Sequence, residues 1–400
     1  MVVSMSKVTT ICHVVNDYYP SMGGVQIQTR NLAEGLSRRG YKNIVFTKRI
    51  ESCPTVQLIN DVEIVRKGYP STNRNMFLKL IGLVVNFYYL FVNRHRYQII
   101  HLKAAYFELM IPCWLVKKLS NLKVVYALST GDELFSVQGR RLLSIRRGLK
   151  RLVVGSFDAL VTMSESMSKE AQQFGVAPSK LRHIINGVES NRFTPDSSKK
   201  IPGRVIFIGR IEEGKGLSAL LKAWKVISQH TKNIHLCVAG PFISDDYASV
   251  LNSYIASNGL KDTVSFAGEI DYYSDDIVNY YQSAELFVLP SKREGMSGAL
   301  MQAMSCGLPV ISTRVGGAED LVFEGVNGFL VGIDDEVGLA NAIIDFFSME
   351  ENRRAELGKC SRHIIVEKFG QEKRIDQFVE LFSSVSDQPG ILFQVDGGIT

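Results

Sequence analysis

SKREGMSGALMQAMSCGLPVISTRVGG, residues 291–317, follows a short apolar run and combines the signals of a strand, a loop and a helix. The apolar run at residues 286–289 is predicted to be a strand that ends just before this stretch. The loop that follows carries the acidic Glu294. Ser297 stands at the N-cap position of a helix predicted over residues 298–305.

The end of that helix is marked by Gly307 and Pro309, and residues 310–312 begin another strand. A helix N-terminus leaves backbone N–H groups free to bind an anion. An acid such as Glu294 just ahead of those groups adds an acceptor for sugar hydroxyls. The stretch therefore predicts a site for a phosphorylated, hydroxyl-rich ligand with the shape of a nucleotide sugar.

Apolar β-branched runs alternate with helical patterns along the chain, an order that is typical of parallel sheets flanked by helices. The polar, proline-containing residues 191–203 interrupt this order near the middle, as a linker does. The predicted strands lie at residues 9–15, 42–46, 62–66, 98–102, 123–128, 159–163, 204–208, 235–239, 264–266, 286–289 and 310–312. The predicted helices include residues 26–39, 217–229, 244–257 and 298–305.

We therefore predict an α/β fold of two Rossmann-like, doubly wound parallel-sheet domains that face a central cleft. The ligand is expected at the carboxyl ends of the strands. A chain of 400 residues is also too long for one hydrophobic core, because single cores stop growing at about 250 to 300 residues. The predicted domains span residues 1–195 and 196–370, followed by a C-terminal segment at residues 371–400.

The composition, with 46% hydrophobic and 22% charged residues, is that of a soluble globular protein. The six cysteines form no C-x-x-C pair and mostly lie in apolar segments, which predicts reduced, buried thiols and no cysteine-bound zinc. The first residues lack the basic and apolar regions of a signal peptide. We therefore expect a cytoplasmic protein.

The net charge is +6, and the segment from Arg140 to Arg151 places apolar residues among many basic ones. Such a basic amphipathic helix suits the inner face of an anionic membrane, although an ordinary solvated helix face explains it equally well. No pattern of nucleic-acid binding accompanies the charge. The apolar residues 80–92 are too few for a spanning helix, which needs about 20. We interpret them as a buried helix, with membrane contact as the second alternative.

The residues VIFIGRIEEGKG, 205–216, place Arg210 and Lys215 after a predicted strand. Two cations at this strand end could bind a diphosphate and stabilise it as it leaves. The same stretch matches the start of a P-loop, but Gly216 stands where a P-loop needs the Ser or Thr that binds magnesium. Either cation alone would be interpreted as an ordinary surface residue.

Other candidate site residues carry weaker signals. Gly23 and Gly24 lie in the first turn between a strand and a helix, where the backbone could approach a ligand closely. His101 follows the apolar run at residues 97–100, and His13 lies near the end of the first strand, so either could face the cleft as an acid or base group. A core or strand-end histidine is nevertheless the better explanation for each of them taken alone. No H-E-x-x-H or D-x-D motif is present, so we expect no catalytic metal and no metal-assisted transfer.

Four motifs together resemble the retaining GT-B glycosyltransferases of the large GT4 group. The four stretches are YYPSMGGVQIQTRNLAEGLSRRG (18–40), INGVESNRFTP (185–195), FIGRIEEGKG (207–216) and REGMSGALMQAMSCGLPVISTRVGG (293–317). The resemblance implies an acceptor-binding N-terminal domain, a donor-binding C-terminal domain and a last helix that returns to the first domain. It implies a nucleoside diphosphate sugar as donor substrate and no cofactor.

By the same resemblance, Arg210 and Lys215 bind the donor diphosphate and Glu294 contacts the transferred sugar. Selectivity for the base is expected near Gly268 and Ile270. The residues that are expected to contact the donor are Gly23, Gly24, Arg210, Lys215, Gly268, Ile270, Glu294, Met296, Ser297, Gly298, Ala299 and Gln302.

The chain departs from the family pattern at two places. Gln302 replaces a second glutamate that would contact the ribose, and an amide carries no charge. Ser129 and Thr130 stand where many relatives have a histidine near the reacting sugar, with Asp132 the nearest titratable group. If a histidine is required, His101 or His13 would have to supply it.

The sequence thus predicts a hexosyltransferase that retains the anomeric configuration, with a glycan or lipid-linked glycan of the cell envelope as acceptor. Two alternatives remain within the same fold. One is a nucleotide-sugar epimerase or a phosphorylase, and the other is a catalytically weak subunit that binds a sugar nucleotide.

Overall fold

The computed structural model describes residues 9–21, 23–69, 76–104, 106–129, 132–135 and 142–386. The chain divides into two units, and each is built on its own sheet of mostly parallel strands. Unit 1 contains the residues up to Ile184 and those from Arg374 onward, and unit 2 is Ile185–Lys373. Both units are α/β, as predicted.

Unit 1 is built on an eight-stranded sheet with the strand order β3-β4-β2-β1-β5-β6-β7-β8. All pairs in it are parallel except β3 with β4. The elements are β1 (Thr10–Val14), α1 (Gly24–Arg38), β2 (Lys42–Lys48), β3 (Val56–Ile59), β4 (Val62–Gly68), α2 (Met76–Val92), β5 (Ile99–Lys103), α3 (Phe107–Lys118), β6 (Lys123–Ala127), α4 (Asp132–Phe135), α5 (Leu142–Ser156), β7 (Ala159–Thr162), α6 (Glu165–Phe174) and β8 (Leu181–His183).

Unit 2 is built on a six-stranded sheet with the strand order β11-β10-β9-β12-β13-β14, in which all pairs are parallel. Its elements are β9 (Arg204–Ile208), α7 (Leu217–His230), β10 (His235–Ala239), α8 (Asp245–Ser257), β11 (Val264–Gly268), α9 (Asp275–Gln282), β12 (Leu286–Leu289), α10 (Gly298–Ser305), β13 (Val310–Thr313), α11 (Ala318–Leu321), β14 (Gly328–Val331), α12 (Glu336–Ser348) and α13 (Glu351–Lys368). The last helix, α14 (Gln371–Val385), begins in unit 2 and continues into unit 1.

Helices cover both faces of the unit 1 sheet. Buried residues of α2, α3, α5 and α6 pack with the strands in one hydrophobic cluster. On the other face, α1 and α14 pack against the sheet, with Phe378 and Phe382 among the buried residues. A side chain at Gly35 would collide with Ile375, because an added Cβ would lie 2.2 Å from its Cδ1. Glycine therefore allows α1 and α14 to approach closely.

Each sheet has one point where the strand order reverses direction, and this is where ligands bind in open α/β sheets. In unit 1 it lies between β1 and β5, and in unit 2 between β9 and β12. The loops after β9 and β12 carry the residues that the sequence predicted as the diphosphate and sugar site. The topology therefore places those two loops side by side.

The boundaries between the units differ from the predicted ones at residues 195 and 370. Residues 185–195 belong to unit 2, because Val188 bridges Gly370 and the Arg362 guanidinium donates to the carbonyls of Ser190 and Phe193. Phe193 is buried. The polar composition of this segment concealed its contacts, which are made mostly by the backbone.

The prediction that residues 80–92 form a buried helix was wrong for one face of α2. Leu80, Val84 and Tyr88 are 58%, 61% and 68% exposed, while Asn86 and Leu90 on the opposite face are buried. Spacings of four residues place the exposed side chains in one stripe. In the described part of the chain, none of the helices has the length and apolar character needed to cross a bilayer.

The site prediction for His101 was also wrong, since it lies inside unit 1. His101 and His13 are both fully buried on neighbouring strands, with 2.9 Å between their Nδ1 atoms. Burial lowers the pKa of His13 to about 4 and that of His101 well below 6.5. Phe378 and Phe382 of α14 cover the His101 ring. Neither imidazole is placed to contact a sugar.

These two imidazoles predict that unit 1 is destabilised by acid. Below a pH of about 6.5 the unfolded chain protonates His13, whereas the folded chain does so only near pH 4. The unfolded state then binds more protons, so the free energy of unfolding falls by about 3 kcal/mol for His13 over this interval. In the variant His13→Gln, the decrease in the free energy of unfolding on acidification is expected to be smaller by this amount.

Urea titrations between pH 7 and 4 would measure this difference. The Trp224→Phe background leaves Trp114 of α3 as the one tryptophan, and it reports on unit 1. Equal losses of stability in the two proteins would mean that His13 is already protonated in the folded state.

Candidate functional site

The loops after β9 and β12 bring together two of the predicted residues in unit 2. Lys215 Nζ lies 2.5 Å from Glu294 Oε1, and the same carboxylate oxygen accepts a hydrogen bond from Ser291 Oγ at 2.9 Å. Lys215 and Glu294 are both partly buried. This ion pair sits where the strand order of unit 2 reverses.

The loop with Lys215 is held against the loop with Glu294 by backbone contacts. Lys292 N–H donates to the Gly214 carbonyl at 2.8 Å. Gly216 has a φ of 72°, and an added Cβ there would lie 1.9 Å from the Pro290 carbonyl oxygen. Only glycine fits this position, which fixes the approach of the two loops.

A third loop, after β13, supports the backbone of Glu294. Gly317 N–H donates to the Gly295 carbonyl at 2.8 Å. Gly316 has a φ of 50°, and a Cβ there would lie 1.9 Å from the Glu294 carbonyl oxygen. The predicted site is therefore assembled from three loops at the carboxyl edge of one sheet.

The N-terminus of α10 completes this part of unit 2. Ser297 Oγ accepts a hydrogen bond from Leu300 N–H at 3.4 Å, so the predicted N-cap is confirmed. Gly298 and Ala299 in the first turn are partly exposed, while Met296 is buried against Gly317. The first N–H groups of a helix lack partners within it. Ser297 binds that of Leu300, which leaves those of Gly298 and Ala299 for an anion, among the contacts of the described residues.

Arg210 lies in the same loop as Lys215, but its side chain points to solvent. Its Nη2 atom lies 2.8 Å from Glu212 Oε1, in an exposed ion pair. Such pairs contribute little to stability, so a bound phosphate could replace Glu212 as the partner.

Gln302 is nearly buried within α10. Its Oε1 accepts a hydrogen bond from the Tyr281 hydroxyl at 2.9 Å, and Tyr281 is fully buried. Burial raises the pKa of Tyr281 well above its usual value, so the hydroxyl keeps its proton and acts as the donor. This contact occupies the Gln302 carbonyl oxygen, the atom with which an amide accepts hydrogen bonds.

Removing that hydroxyl is expected to destabilise unit 2. In Tyr281→Phe the buried Oε1 of Gln302 loses its donor, which lowers the free energy of unfolding by about 1–3 kcal/mol. Urea unfolding followed by Trp224 fluorescence, in a Trp114→Phe background that leaves Trp224 as the one tryptophan, would measure this. Tyr247→Phe is the control, because among the described residues the Tyr247 hydroxyl is buried without a hydrogen-bond partner. An equal effect of both substitutions would contradict the prediction.

The predicted base-binding residues lie at the carboxyl end of β11, at the same edge of the unit 2 sheet. Gly268 is exposed, with a φ of 76°, and its carbonyl accepts a hydrogen bond from Gly240 N–H at 2.7 Å. Ile270 is partly exposed. The two strands between this position and β12 are β10 and β9.

The remaining predicted site residues belong to unit 1. Gly23 precedes α1 and Gly24 is its exposed first residue. Ser129 donates through its N–H and its hydroxyl to Glu133 Oε1. Thr130 and the side chain of Asp132 lie outside the described residues.

Lys103, Glu133 and Arg374 are polar residues of unit 1 that the sequence patterns did not single out. Lys103 and Arg374 are nearly buried. For Lys103 a usable signal existed, since it follows the predicted strand at residues 98–102 just as Lys215 follows the strand at 204–208. Within the described residues, no group of three or more His, Cys, Asp or Glu side chains could hold a metal ion.

Comparisons with known proteins match both parts of the chain. Residues 22–192 match the family model described as Glycosyltransferase Family 4, and residues 191–364 match Glycosyl transferases group 1. D-inositol 3-phosphate glycosyltransferase of Corynebacterium urealyticum is 23% identical over 395 residues, which cover 92% of each chain.

A second relative and a solved structure extend these matches. N-acetyl-alpha-D-glucosaminyl L-malate synthase of Bacillus anthracis is 23% identical and covers 92% of this chain and 95% of its own. Anabaena HepE in complex with UDP-glucose aligns with a TM-score of 0.75 and 19% identity over 94% of this chain and 99% of its own. The structural likeness supports the two-domain α/β fold.

Proposed function

The chain belongs to the GT4-type glycosyltransferases of the GT-B fold, and from this we propose that it transfers a hexose from a nucleoside diphosphate sugar to a hydroxyl group of an acceptor. We further propose that the anomeric configuration is retained and that no divalent metal is required. The observation that carries the proposal is the Lys215–Glu294 pair at the reversal point of the unit 2 sheet.

Lys215 is proposed to bind the donor diphosphate and to stabilise the negative charge that develops as the diphosphate leaves. Arg210 adds a second cation once it exchanges Glu212 for a phosphate oxygen. The free N–H groups at the start of α10 bind phosphate or sugar oxygens. Two cations and a helix N-terminus together supply the positive charge that a metal ion provides in other transferases.

Glu294 is proposed to accept a hydrogen bond from a hydroxyl of the transferred sugar. Its Oε1 is held by Lys215 and Ser291, which leaves Oε2 for the ligand among the contacts of the described residues. With the sugar and the diphosphate so fixed, the acceptor hydroxyl attacks from the side on which the diphosphate departs, and this gives retention. The acceptor oxygen bonds to the anomeric carbon, and its proton passes to the leaving diphosphate.

Thermal stabilisation by UDP-, GDP- and ADP-sugars would identify the donor, because a ligand that binds only the folded state raises its stability. Transfer would then be assayed with that donor and a panel of hydroxyl acceptors, in the presence of EDTA. Retained configuration and full activity in EDTA are expected. Inverted product would overturn the stereochemical part, and conversion of the donor without any acceptor would favour an epimerase.

We propose an acceptor in cell-envelope glycan synthesis, reached by docking of unit 1 on an anionic bilayer. The exposed stripe of α2 lies in the same helix layer as α3 and α5. The helix α2 carries one basic residue, α3 carries two and α5 carries four. The three helices together have one carboxylate, Glu108, which is buried near Lys79. Apolar area next to basic charge favours anionic lipid.

Part of the predicted basic segment supports this surface and part does not. Arg147, Leu149, Arg151 and Leu152 of α5 are exposed. Lys150 instead turns inward and donates to the Glu133 carbonyl. Residues 136–141 lie outside the described residues.

The double variant Leu80→Asp with Val84→Asp is expected to bind vesicles of phosphatidylglycerol at least about ten-fold more weakly, since it places two carboxylates on the apolar stripe. Flotation with vesicles would measure this. Val250→Asp, at an exposed apolar position of α8, should bind as the wild type does. Equal binding by all three proteins would overturn the docking surface.

A further inference from the structure

The first residues of unit 2 have no role in the site described so far. Residues 185–195 are one of the four stretches that resemble the GT4 group, but none of their side chains was expected to contact the donor. In the structure they belong to unit 2. The contacts that their side chains make within this unit indicate what they do there.

Arg192 binds the backbone of the loop between β11 and α9, residues 269–274, which we call the β11–α9 loop. Its Nη2 atom donates hydrogen bonds to the carbonyl oxygens of Tyr272 at 2.6 Å and of Ser274 at 2.8 Å. The Arg192 side chain is only 23% exposed. Hydrogen bonds from a charged donor are about twice as strong as neutral ones, so one guanidinium fixes two carbonyls of the same loop.

Tyr272 connects the loop to the same segment through its side chain. Its hydroxyl donates to Glu189 Oε2 at 2.8 Å. The centre of its ring lies 5.9 Å from that of Phe193 and 5.1 Å from the guanidinium carbon of Arg192. Tyr272 is buried. Both its backbone and its side chain are therefore held by residues 189–193.

The β11–α9 loop has little other support. β11 is at one end of the unit 2 sheet, so among the described strands it has a neighbour on one side only. The hydrogen bonds within the loop are made to Asp271, whose Oδ1 accepts from Tyr273 N–H at 3.0 Å and whose carbonyl accepts from Ser274 N–H at 3.2 Å. Among the described residues, the backbone groups of Glu269 and Ile270 form no hydrogen bond.

The loop lies at the edge of the sheet where the donor is proposed to bind. It follows Gly268 at the carboxyl end of β11, and the loops with Lys215 and Glu294 follow strands of the same parallel sheet. Gly268 and Ile270 are the residues expected from the family resemblance to select the base. Backbone N–H and C=O groups bind strongly to polar partners, so those of Glu269 and Ile270 are available to the polar edge of a nucleobase.

We propose that Arg192 is a positioning residue for the nucleobase of the donor. It holds the β11–α9 loop, with Glu189 as the second contact, in the conformation in which the backbone groups of residues 269 and 270 bind the base. Arg192 acts through the loop and does not take part in transfer. Its role in nucleotide binding rests on the proposed transferase function, whereas its hold on the loop does not.

Hydrogen exchange of the free protein tests the hold on the loop. In Arg192→Met the amides of Tyr273 and Ser274 should exchange at least about ten-fold faster than in the wild type, because opening of the loop no longer breaks two charged hydrogen bonds. Arg353→Met is the matched control, since Arg353 Nη2 also donates to a loop carbonyl of unit 2, that of Gly325, at 2.7 Å. It should leave the exchange of these amides unchanged. An unchanged rate in Arg192→Met would overturn the proposal.

Nucleotide binding tests the consequence for the donor. Calorimetric titration with UDP, GDP and ADP identifies the nucleotide that the wild type prefers. Its Kd should rise at least about ten-fold in Arg192→Met and stay within about two-fold in Arg353→Met, because a loop that is not held must be ordered on binding. The preference among the three bases should also decrease. The Kd for inorganic diphosphate, which lacks a base, should not change, and an equal rise for this probe would mean a general loss of unit 2 structure and overturn the positioning role.

Two further variants separate the contacts of Arg192. Arg192→Lys keeps one charged donor and should recover part of the affinity for the nucleotide. Tyr272→Phe removes only the hydrogen bond to Glu189; it should raise the Kd by a smaller factor, and it replaces Arg192→Met in these tests if that variant does not fold.

The outcomes distinguish this inference from the proposed function. If the preferred nucleotide binds Arg192→Met as tightly as the wild type, the positioning role is wrong while the transferase function stands. If none of the three nucleotides binds the wild type, the transferase function fails and the nucleotide role of Arg192 fails with it. The exchange rates then still show whether Arg192 holds the loop.

Discussion

Replacing Lys215 with methionine is expected to lower kcat for sugar transfer by about 10³-fold, since removal of one group that stabilises developing negative charge costs about 10² to 10³. Methionine keeps most of the side-chain volume and removes only the charge. The donor KM should change less than kcat, because the charge on the leaving diphosphate is greatest in the transition state. Initial rates at varied donor concentration would separate the two constants.

Lys222→Met is the matched control for this variant. Lys222 lies on α7 in the same unit and also pairs with a glutamate, since its Nζ is 2.7 Å from Glu336 Oε1. That pair is exposed, and its loss should leave kcat within about two-fold of the wild type. If Lys215→Met kept normal kcat with a normal near-ultraviolet spectrum, the proposed role of Lys215 in leaving-group stabilisation would be wrong.

Gly316→Ala is expected to have the second large effect, on both stability and donor binding. The added Cβ would lie 1.9 Å from the Glu294 carbonyl oxygen, and the backbone of Gly316 is left-handed. Strain and collision together should lower the free energy of unfolding of unit 2 by about 4 kcal/mol. The loop with Glu294 must shift, so stabilisation by the donor nucleotide should be lost.

Gly325→Ala separates the two causes. Gly325 also has a left-handed backbone, with a φ of 69°, but an added Cβ would meet no atom within 4 Å. Only the conformational cost of about 1 kcal/mol should remain, and nucleotide stabilisation should be unchanged. Urea unfolding followed by Trp224 fluorescence, again in the Trp114→Phe background, would compare the two variants. Similar losses of stability in both variants would show that the loop relieves the collision at the Glu294 carbonyl without a cost in free energy.

The regular elements followed from local patterns in the sequence. The strands β9, β10 and β12 and the helix α10 have the predicted bounds, because apolar runs, an N-cap serine and helix-ending glycine act over a few residues. The short strands β3, β8 and β14 were missed. Their pairing depends on neighbours that are distant in sequence, and four residues or fewer carry little pattern.

Burial of polar residues was the main property that the sequence did not predict. His101 and Lys103 belong to the same strand and both are buried, and Phe378 and Phe382 of α14 cover the His101 ring. The family resemblance implied that the last helix returns to the first domain, but nothing in the residues around His101 indicates that this helix covers its strand. Lys215 and Glu294 each follow a strand, and they lie together because adjacent strand ends meet at one edge of the sheet.

The division of the chain has a consequence for its synthesis on the ribosome. Unit 2 is one continuous segment, whereas unit 1 needs Ile375, Phe378 and Phe382 of α14 to complete the core around Ile11 and Ile99. Since domains fold as the chain emerges, unit 2 can reach its final structure first. The N-terminal segment must meanwhile wait, with one face of its sheet uncovered, so this face is the part of the nascent protein that most needs a chaperone.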